Sequence, residues 1–325
     1  MPSVDVTAIV VSHDSAGVLP ECLNALAREG AQLLVVDNAS RDGSADVAER
    51  LGARVILNQR NEGYGRANNT GVAAAGTTFV LVANPDLTAA PGMLANLLGA
   101  AARWPEAGMW APRIVEPDGT MFYRNRSRLC ESVAVRAMPP SLSPPVRGDP
   151  GANLPTGDVC APFLSGACFL MRRDFFLSLG GFDQAIFLYF EDDDLCRRVQ
   201  DAGRALVHVH EAIARHARGQ SASPRPGRLY KARWHVEWSR SYVARKWGLP
   251  EPAWLELAWN GLRAWLLWLF SGRNSRERYL GAVAGAWSAL RRCDALAREG
   301  LSPRPDLAAR GDHERDVGSE RDHSR

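Results

Sequence analysis

The sequence predicts an α/β protein built on a mainly parallel sheet with helices on both faces, followed by a helical region. Three observations predict it. Short apolar, β-branched runs alternate with amphipathic helical stretches through the first hundred residues, the pattern of consecutive βα units. Three of the runs end in polar clusters, Ser12-His13-Asp14, Asp37-Asn38-Ala39-Ser40 and Asn84-Pro85-Asp86, and ligands bind at the carboxyl ends of strands in such sheets. After a Pro/Gly/Ser stretch at 219–227 the periodicity is purely helical.

Each element follows from local pattern. Val6–Ser12 is a continuous apolar run and reads as a buried strand, and Gly17–Arg28 carries a helical stripe at Val18, Leu19, Cys22, Leu23 and Leu26. Leu33–Val36 is the second strand, Asp42–Leu51 a helix, Arg54–Leu57 a strand, Tyr64–Ala75 a helix and Thr78–Ala83 a strand. Pro91 opens the next helix, to Arg103, at the first helical position that proline favours. Residues 138–158 hold six prolines and read as a long loop or lid. Phe163–Met171 is apolar again, Gly180-Gly181 marks a turn, Glu191–Gly203 reads as a helix and Ala205–His208 as the last strand. Helices follow over Leu229–Trp247, Ala253–Phe270 and Arg276–Arg298, and from Ser302 the chain reads as a disordered tail.

Composition narrows the function. With 46% hydrophobic and 23% charged residues the 325-residue chain is an ordinary globular protein. Its net charge of +3 hides a split: −6 over residues 1–211, +10 over 212–300 and −1 over 301–325. The basic segment also holds eight of the ten tryptophans, between 234 and 287. The six cysteines form no C-x-x-C pair and read as reduced thiols. The acidic N-terminus lacks the basic region of a signal peptide, so the chain is expected in the cytoplasm. The longest apolar stretch, Trp254–Phe270, is broken by Glu256, Asn260 and Arg263, so no membrane span is expected.

Two common nucleotide chemistries are excluded. The first strand is not followed by G-x-G-x-x-G, and no G-x-x-x-x-G-K-S/T loop occurs. The candidate chemistry lies elsewhere. Asn61-Glu62-Gly63-Tyr64-Gly65-Arg66-Ala67-Asn68-Asn69-Thr70-Gly71 combines glycines that let backbone approach a ligand with Arg and Asn donors. Glu191-Asp192-Asp193-Asp194 follows the aromatic run Phe187, Tyr189, Phe190 at a predicted helix start. The helix dipole favours acids there, but an acid flanked by aromatics in a cleft is also a candidate general base. His216, paired with Asp86, is able to complete a hard-metal site that leaves its other positions to phosphate oxygens and water.

In order, Val36-Asp37-Asn38-Ala39-Ser40, Asn61 through Gly71, Asn84-Pro85-Asp86, Ser165-Gly166-Ala167, Gly180–Asp183, Phe187 through Arg198, and His216 with Ser221 resemble the motifs of family 2 inverting glycosyltransferases of GT-A fold, in particular a bacterial rhamnosyltransferase-like branch. The resemblance spans residues 4–221. It implies that Asp37, beside Ser12, contacts the nucleobase, and that Asn38, Asn61, Gly63, Arg66, Asn69, Asn84 and Gly166 line the donor site. It implies that Asp86, with His216 as second ligand, binds Mg²⁺ or Mn²⁺ on the diphosphate. Asp192 is then the catalytic base, with Glu191 and Asp194 as neighbours able to share the role. Three positions depart from the pattern: His13-Asp14 after the first strand, Asn84 in place of the first acid of D-x-D, and the extra acid Asp193.

The implied partners are a nucleotide sugar, with dTDP-L-rhamnose favoured by the branch, and a saccharide or polyprenyl-linked acceptor in cell-surface polysaccharide synthesis. The implied reaction is a single in-line displacement that inverts the anomeric carbon. The chain then divides into a GT-A domain at 1–221, a basic Trp-rich helical region at 222–301 and a tail at 302–325. That helical region reads either as a cap on the domain or as a peripheral contact with the inner face of the cytoplasmic membrane. Nucleic acid is not an expected partner, since no helix-turn-helix, RRM or zinc signature accompanies the basic surface. Two other functions compete. One is a non-catalytic saccharide- or lipid-binding relative, which retention of Asp86, Asp192 and His216 argues against. The other is a sugar-phosphate nucleotidyltransferase, whose basic loop after the first strand has no counterpart in Ser12–Gly17.

Overall fold

The computed structural model describes residues 5–116, 119, 121–122, 156–217, 226–250, 253–267 and 272–302. Ser221, most of the Pro-rich segment at 138–158 and nearly all of the tail at 302–325 lie outside these residues.

The chain begins with β1 (Val6–Ser12), α1 (Leu19–Arg28), β2 (Gln32–Asp37), α2 (Ser44–Arg50), β3 (Arg54–Leu57), α3 (Tyr64–Ala74) and β4 (Phe79–Ala83). Successive side chains of a strand point to opposite faces, and in β1 both faces are buried. Val6, Ala8 and Val10 pack on the face covered by α1 and α4 (Met93–Arg103), whereas Ile9 and Val11 pack on the side of α3. A strand covered twice has no polar face, which is why its sequence reads as an unbroken apolar run. Helix α4 starts later than expected: Gly92 is its N-cap, at φ +82°, so Pro91 stands before the helix and not at its first position.

The remaining strands are β5 (Leu87–Ala89), β6 (Ala107–Val115), β7 (Met121–Phe122), β8 (Val159–Cys160), β9 (Cys168–Arg172) and β10 (Ala205–His216), with α5 (Arg173–Ser178) and α6 (Glu191–Asp201) between the last two. All belong to one sheet, ordered β3-β2-β1-β4-β9-β6-β10-β5, with β7 on β6 and β8 on β10. β3, β2, β1 and β4 are parallel, and β6 and β10 run the same way as each other. β9 is inserted antiparallel between β4 and β6, and β5 pairs antiparallel with β10. The sheet is therefore mixed but mainly parallel. β10 runs eight residues past the expected His208, through an irregularity between Val209 and Ile213.

These directions place the site. The carboxyl ends of β1, β2, β4 and β10 share one edge, and the start of the antiparallel β9 comes to the same edge, Cys168 opposite Ala83. Every strand-end motif singled out in the sequence thus converges there.

Beyond the sheet lie α7 (Arg228–Lys246), α8 (Ala253–Leu267), α9 (Arg273–Leu290) and α10 (Ala295–Arg298), with residues 291–294 breaking the expected continuous helix to Arg298. α9 packs along α7, and α8 packs mainly on α9. The α7–α9 contact is backbone-close: a Cβ on Gly281 or Gly285 would stand 2.3 or 2.4 Å from the carbonyl oxygens of Tyr230 and Trp234. Among the described residues no helix is long and apolar enough to cross a membrane.

Candidate active site

Three clusters line the carboxyl edge. At the first, the Ser12 hydroxyl donates to Asp37 Oδ2 (2.8 Å) and the Ser40 amide to Asp37 Oδ1 (2.9 Å). The carboxylate is buried and oriented by both bonds. His13 Nδ1 lies 2.8 Å from the Asn38 carbonyl oxygen, tying the ends of β1 and β2 together.

At the second, His216 Nε2 stands 3.1 Å from Asp86 Oδ1 and 3.4 Å from Asn84 Nδ2. The extension of β10 makes this meeting, because His216 pairs with Leu87 in the ladder to β5. The expected Asp86–His216 pair is thus formed from residues 130 positions apart. No group of three His, Cys, Asp or Glu side chains able to hold a metal occurs among the described residues.

The third cluster is the acid run at the start of α6. Tyr189 and Phe190 both take left-handed backbone, at φ +68° and +66°. Such residues cost on the order of 1–3 kcal/mol each, and here the strain turns the chain sharply into the helix. Asp192 is half-buried, accepting from the Gly166 amide at Oδ2 (2.9 Å) and from the Asp193 amide at Oδ1 (3.0 Å). The Gly166 carbonyl in turn accepts from the Tyr64 hydroxyl (2.7 Å). Gly166 therefore links the aromatic ring of the Asn61–Gly71 motif to the Asp192 carboxylate through its own backbone N–H and C=O.

The other acids of the run differ. Glu191 is buried, and its Oε2 has no hydrogen-bond partner among the described residues. Burial, with the Asp192 charge beside it, pushes its carboxyl up to about 8. Asp194 is fully buried and bound by Arg198 Nε (2.8 Å), Lys246 Nζ (2.7 Å) and Trp247 Nε1 (3.0 Å). Lys246 Nζ also meets Asp183 Oδ2 (2.7 Å), which accepts from the Tyr242 hydroxyl (3.1 Å) as well. Burial works to raise the Asp183 carboxyl, but the Lys246 charge and these hydrogen bonds outweigh it and hold it low.

The Asn61–Gly71 motif is mostly occupied with protein. The Asn61 side chain caps its own turn through the Gly63 amide (2.9 Å). Asn38 donates to the Gly63 carbonyl (3.1 Å) and accepts from Asn58 (2.7 Å). Asn69 grips the Phe182 backbone through both amide atoms, each at 2.8 Å. Arg66 is buried between Glu62 (3.1 Å) and the Ser302 carbonyl (3.0 Å). Gly63 sits at φ +84°, where a Cβ would lie 2.4 Å from the Phe187 carbonyl oxygen, and that oxygen accepts from the Tyr64 amide. Of the residues expected to line the donor site, Asn69 holds the G-G-F-D backbone, Asn38 ties the Gly63 turn to Asn58, and Arg66 joins Glu62 to the Ser302 carbonyl. Residue type reveals a donor group but not the direction in which it points.

Sequence reasoning also passed over Tyr64, Asp183, Lys246 and Trp247. Tyr64 and Asp183 stood inside quoted motifs. Lys246-Trp247 gave no signal beyond the basic, aromatic composition of its segment.

A mainly parallel sheet of this topology, with an aspartate at the end of β2, an Asp–His pair beyond β4 and an oriented carboxylate on α6, has the arrangement of the GT-A class. The profile of glycosyl transferase family 2 matches residues 7–180, and the chain belongs to that family. It is 32% identical over 275 residues, 78% of this chain and 88% of the relative, to the N-acetylglucosaminyl-diphospho-decaprenol L-rhamnosyltransferase of Mycobacterium tuberculosis. It is 26% identical over 255 residues, 73% of this chain and 92% of the relative, to the rhamnosyltransferase WbbL of Escherichia coli K12. The mannosyltransferase PcManGT of Pyrobaculum calidifontis, solved with GDP-Man and Mn²⁺, superimposes with a TM-score of 0.52 at 18% identity, over 97% of this chain and 80% of its own. That likeness is one of fold.

Proposed function

We propose that this glycosyltransferase moves L-rhamnose from dTDP-L-rhamnose to a saccharide carried on a polyprenyl diphosphate, inverting the anomeric carbon, at the inner face of the cytoplasmic membrane. The names of both the mycobacterial and the E. coli relative support the sugar, and that of the mycobacterial relative the lipid-linked acceptor. The observation that carries the chemistry is the Asp192 carboxylate, held by two backbone amides on the edge where the Asp37 and Asp86–His216 clusters lie.

Asp192 is the base. Its Oδ atoms are fixed by backbone donors that do not rotate, and half-burial leaves the carboxylate reachable by an acceptor hydroxyl. It takes the hydroxyl proton as that oxygen attacks the anomeric carbon from the face opposite the leaving nucleoside diphosphate. Burial and the Asp192 charge beside it favour the protonated form of Glu191, which supports Asp192 over Glu191 as the proton acceptor. Asp194 acts as a positioning residue, since three donors already occupy its carboxylate. Asp37, buffered by Ser12, receives the nucleobase.

A carboxylate oxygen and an imidazole nitrogen 3.1 Å apart suit a Mg²⁺ or Mn²⁺ ion that draws its remaining ligands from diphosphate and water. Asp86 and His216 would hold it, and bound there it supplies Lewis-acid stabilisation of the leaving diphosphate.

The test is a donor screen with each divalent ion, followed by assignment of the product anomer by NMR. Transfer from dTDP-L-rhamnose with inverted configuration is expected. A retained anomer, or no nucleotide release from any nucleotide sugar, would reject the proposal.

A further inference from the structure

α8 wears its amphipathicity inside out. Its buried positions include Ala253 and Asn260, small or polar. Its exposed positions are Trp254, Ala258, Trp259, Leu262, Trp265 and Leu266, with Trp265 75% and Trp254 67% exposed. At about 3.6 residues per turn, these six fall within one half of the helix surface. Exposed Arg263 stands at the margin of that half, its guanidinium 4.4 Å from the Trp259 ring centroid. A contiguous apolar patch of this kind marks an interaction surface.

We infer that this face of α8 docks on an anionic lipid surface. Charge selects lipid over the other occupants. From 251 to 293 the sequence carries six arginines and three acids, Glu251, Glu256 and Glu277, a net positive charge. The described side chains of the outward face include Arg263 and no acid. A second copy would bring this net positive segment against itself, whereas an anionic bilayer supplies the opposite charge to Arg263 at the margin of the face. The chain's own 303–325 segment has only Leu307 and Val317 as large apolar residues, too few to match three tryptophans and two leucines. Tryptophan with an adjacent arginine is also the pairing suited to the headgroup boundary, ring in the acyl region and cation at the phosphates. In sequence the apolar run continues as Leu267-Trp268-Leu269-Phe270. α8 packs mainly on α9.

This inference rests on the proposed reaction for its purpose, by placing the enzyme where a lipid-linked acceptor resides. Its test is independent of catalysis. The full-length protein is floated with vesicles of phosphatidylglycerol and phosphatidylcholine, and with phosphatidylcholine alone, at low and high salt. Binding to the anionic vesicles at low salt is expected, weakening as salt rises. Trp265→Ser with Leu266→Ser should lower partitioning about tenfold or more. Arg263→Glu should lower it on anionic vesicles only. Both changes fall on exposed side chains, and circular dichroism checks their fold. Failure of the unaltered protein to float at low salt overturns the inference, as does equal binding by the variants. So does a size-exclusion profile in which the double variant turns a dimer into a monomer while vesicle binding is unchanged. Hydrolysis of dTDP-L-rhamnose, followed in the same samples without lipid, should be the same in all three proteins. Its absence from all three would count against the reaction and leave the docking result standing.

Discussion

α7 and α8 are both rich in tryptophan and use it in opposite ways. In α7 the ladder Trp234, Trp238, Tyr242 is buried or half-buried, with nearly parallel rings 6.2 and 5.1 Å apart, and Trp238 donates to the Cys293 carbonyl. Three of its polar groups reach the sheet domain: Ser239 to the Leu188 carbonyl, Tyr242 to Asp183, and Lys246 to Asp183 and Asp194. His235 stacks on Phe187 at 4.7 Å. In α8 all three described tryptophans face solvent. Composition alone makes the two helices one basic aromatic region. Position separates them: α7 bonds to α6, the helix that carries the base in the proposed reaction, whereas α8 packs mainly on α9.

The comparison rests on α6 being the catalytic helix, so the largest expected effect is there. Asp192→Asn keeps the shape and should lower turnover about 10²–10⁴-fold with donor affinity retained, measured by steady-state kinetics and calorimetry. Near-normal turnover would remove the base, and with it the reason for α7 to brace α6. Asp86→Ala tests the other half of the site. Outer-shell partners of a metal alone are worth about 10–100-fold in affinity, so loss of a ligand should weaken metal-dependent donor binding at least that much. Equal donor affinity with and without the ion in the unaltered protein would contradict the Asp86–His216 assignment.

Lys246→Met addresses the brace itself. It leaves the buried Asp194 with Arg198 and Trp247, and Asp183 with Tyr242. Under-satisfied buried acceptors cost about 1–3 kcal/mol. A shifted α6 should reduce kcat by roughly tenfold with a smaller effect on KM. Lys246→Arg, which keeps a cation, should recover part of both. A variant that melts earlier but keeps its full kcat would show that α7 only stabilises the fold.

How much of this was legible in the sequence follows from range and direction. Strands β1 and β4 announced themselves because nearly every residue is buried on both faces, and β2 and β3, whose ends are more exposed, by their short apolar runs. β9 has the same apolar pattern whichever way it runs, so its antiparallel insertion was invisible. β6 was obscured by Gly108 and Pro112, and the extension of β10 by His210, Glu211 and Arg215. At the site, motif order brought Asp86 and His216 into one hypothesis, and their geometry fits it. The link from Tyr64 through Gly166 to Asp192 joins three motifs through a single residue, and pattern reading treats those motifs separately. The brace at Lys246 lies outside the family motifs, and only packing reveals it.

The smallest expected effect separates two acids near α7 by the sign of their pH response. Glu299 is raised by burial, but hydrogen bonds from His235 and Lys231 of α7 outweigh this and hold it at about 2. A depressed carboxyl contributes stability that is present above its ordinary 4.5 and lost as pH falls through 2. Glu191 on α6 has the reverse sign. Its carboxyl, raised to about 8, favours the folded state fully only below the ordinary 4.5, and that contribution is lost as pH rises through 8. Between those limits the unfolded chain has released a proton that the folded protein keeps, at most about 1.4 kcal/mol per pH unit. Glu191→Gln cannot titrate, so its melting temperature should fall less than that of the unaltered protein between pH 5 and 9. Glu299→Gln should instead lower the melting temperature at neutral pH and lose less on acidification below about pH 4. Parallel curves for Glu191→Gln and the unaltered protein would mean that Glu191 is ionised where it is buried, and the proton acceptor would then have to be sought between two charged acids rather than assigned to Asp192.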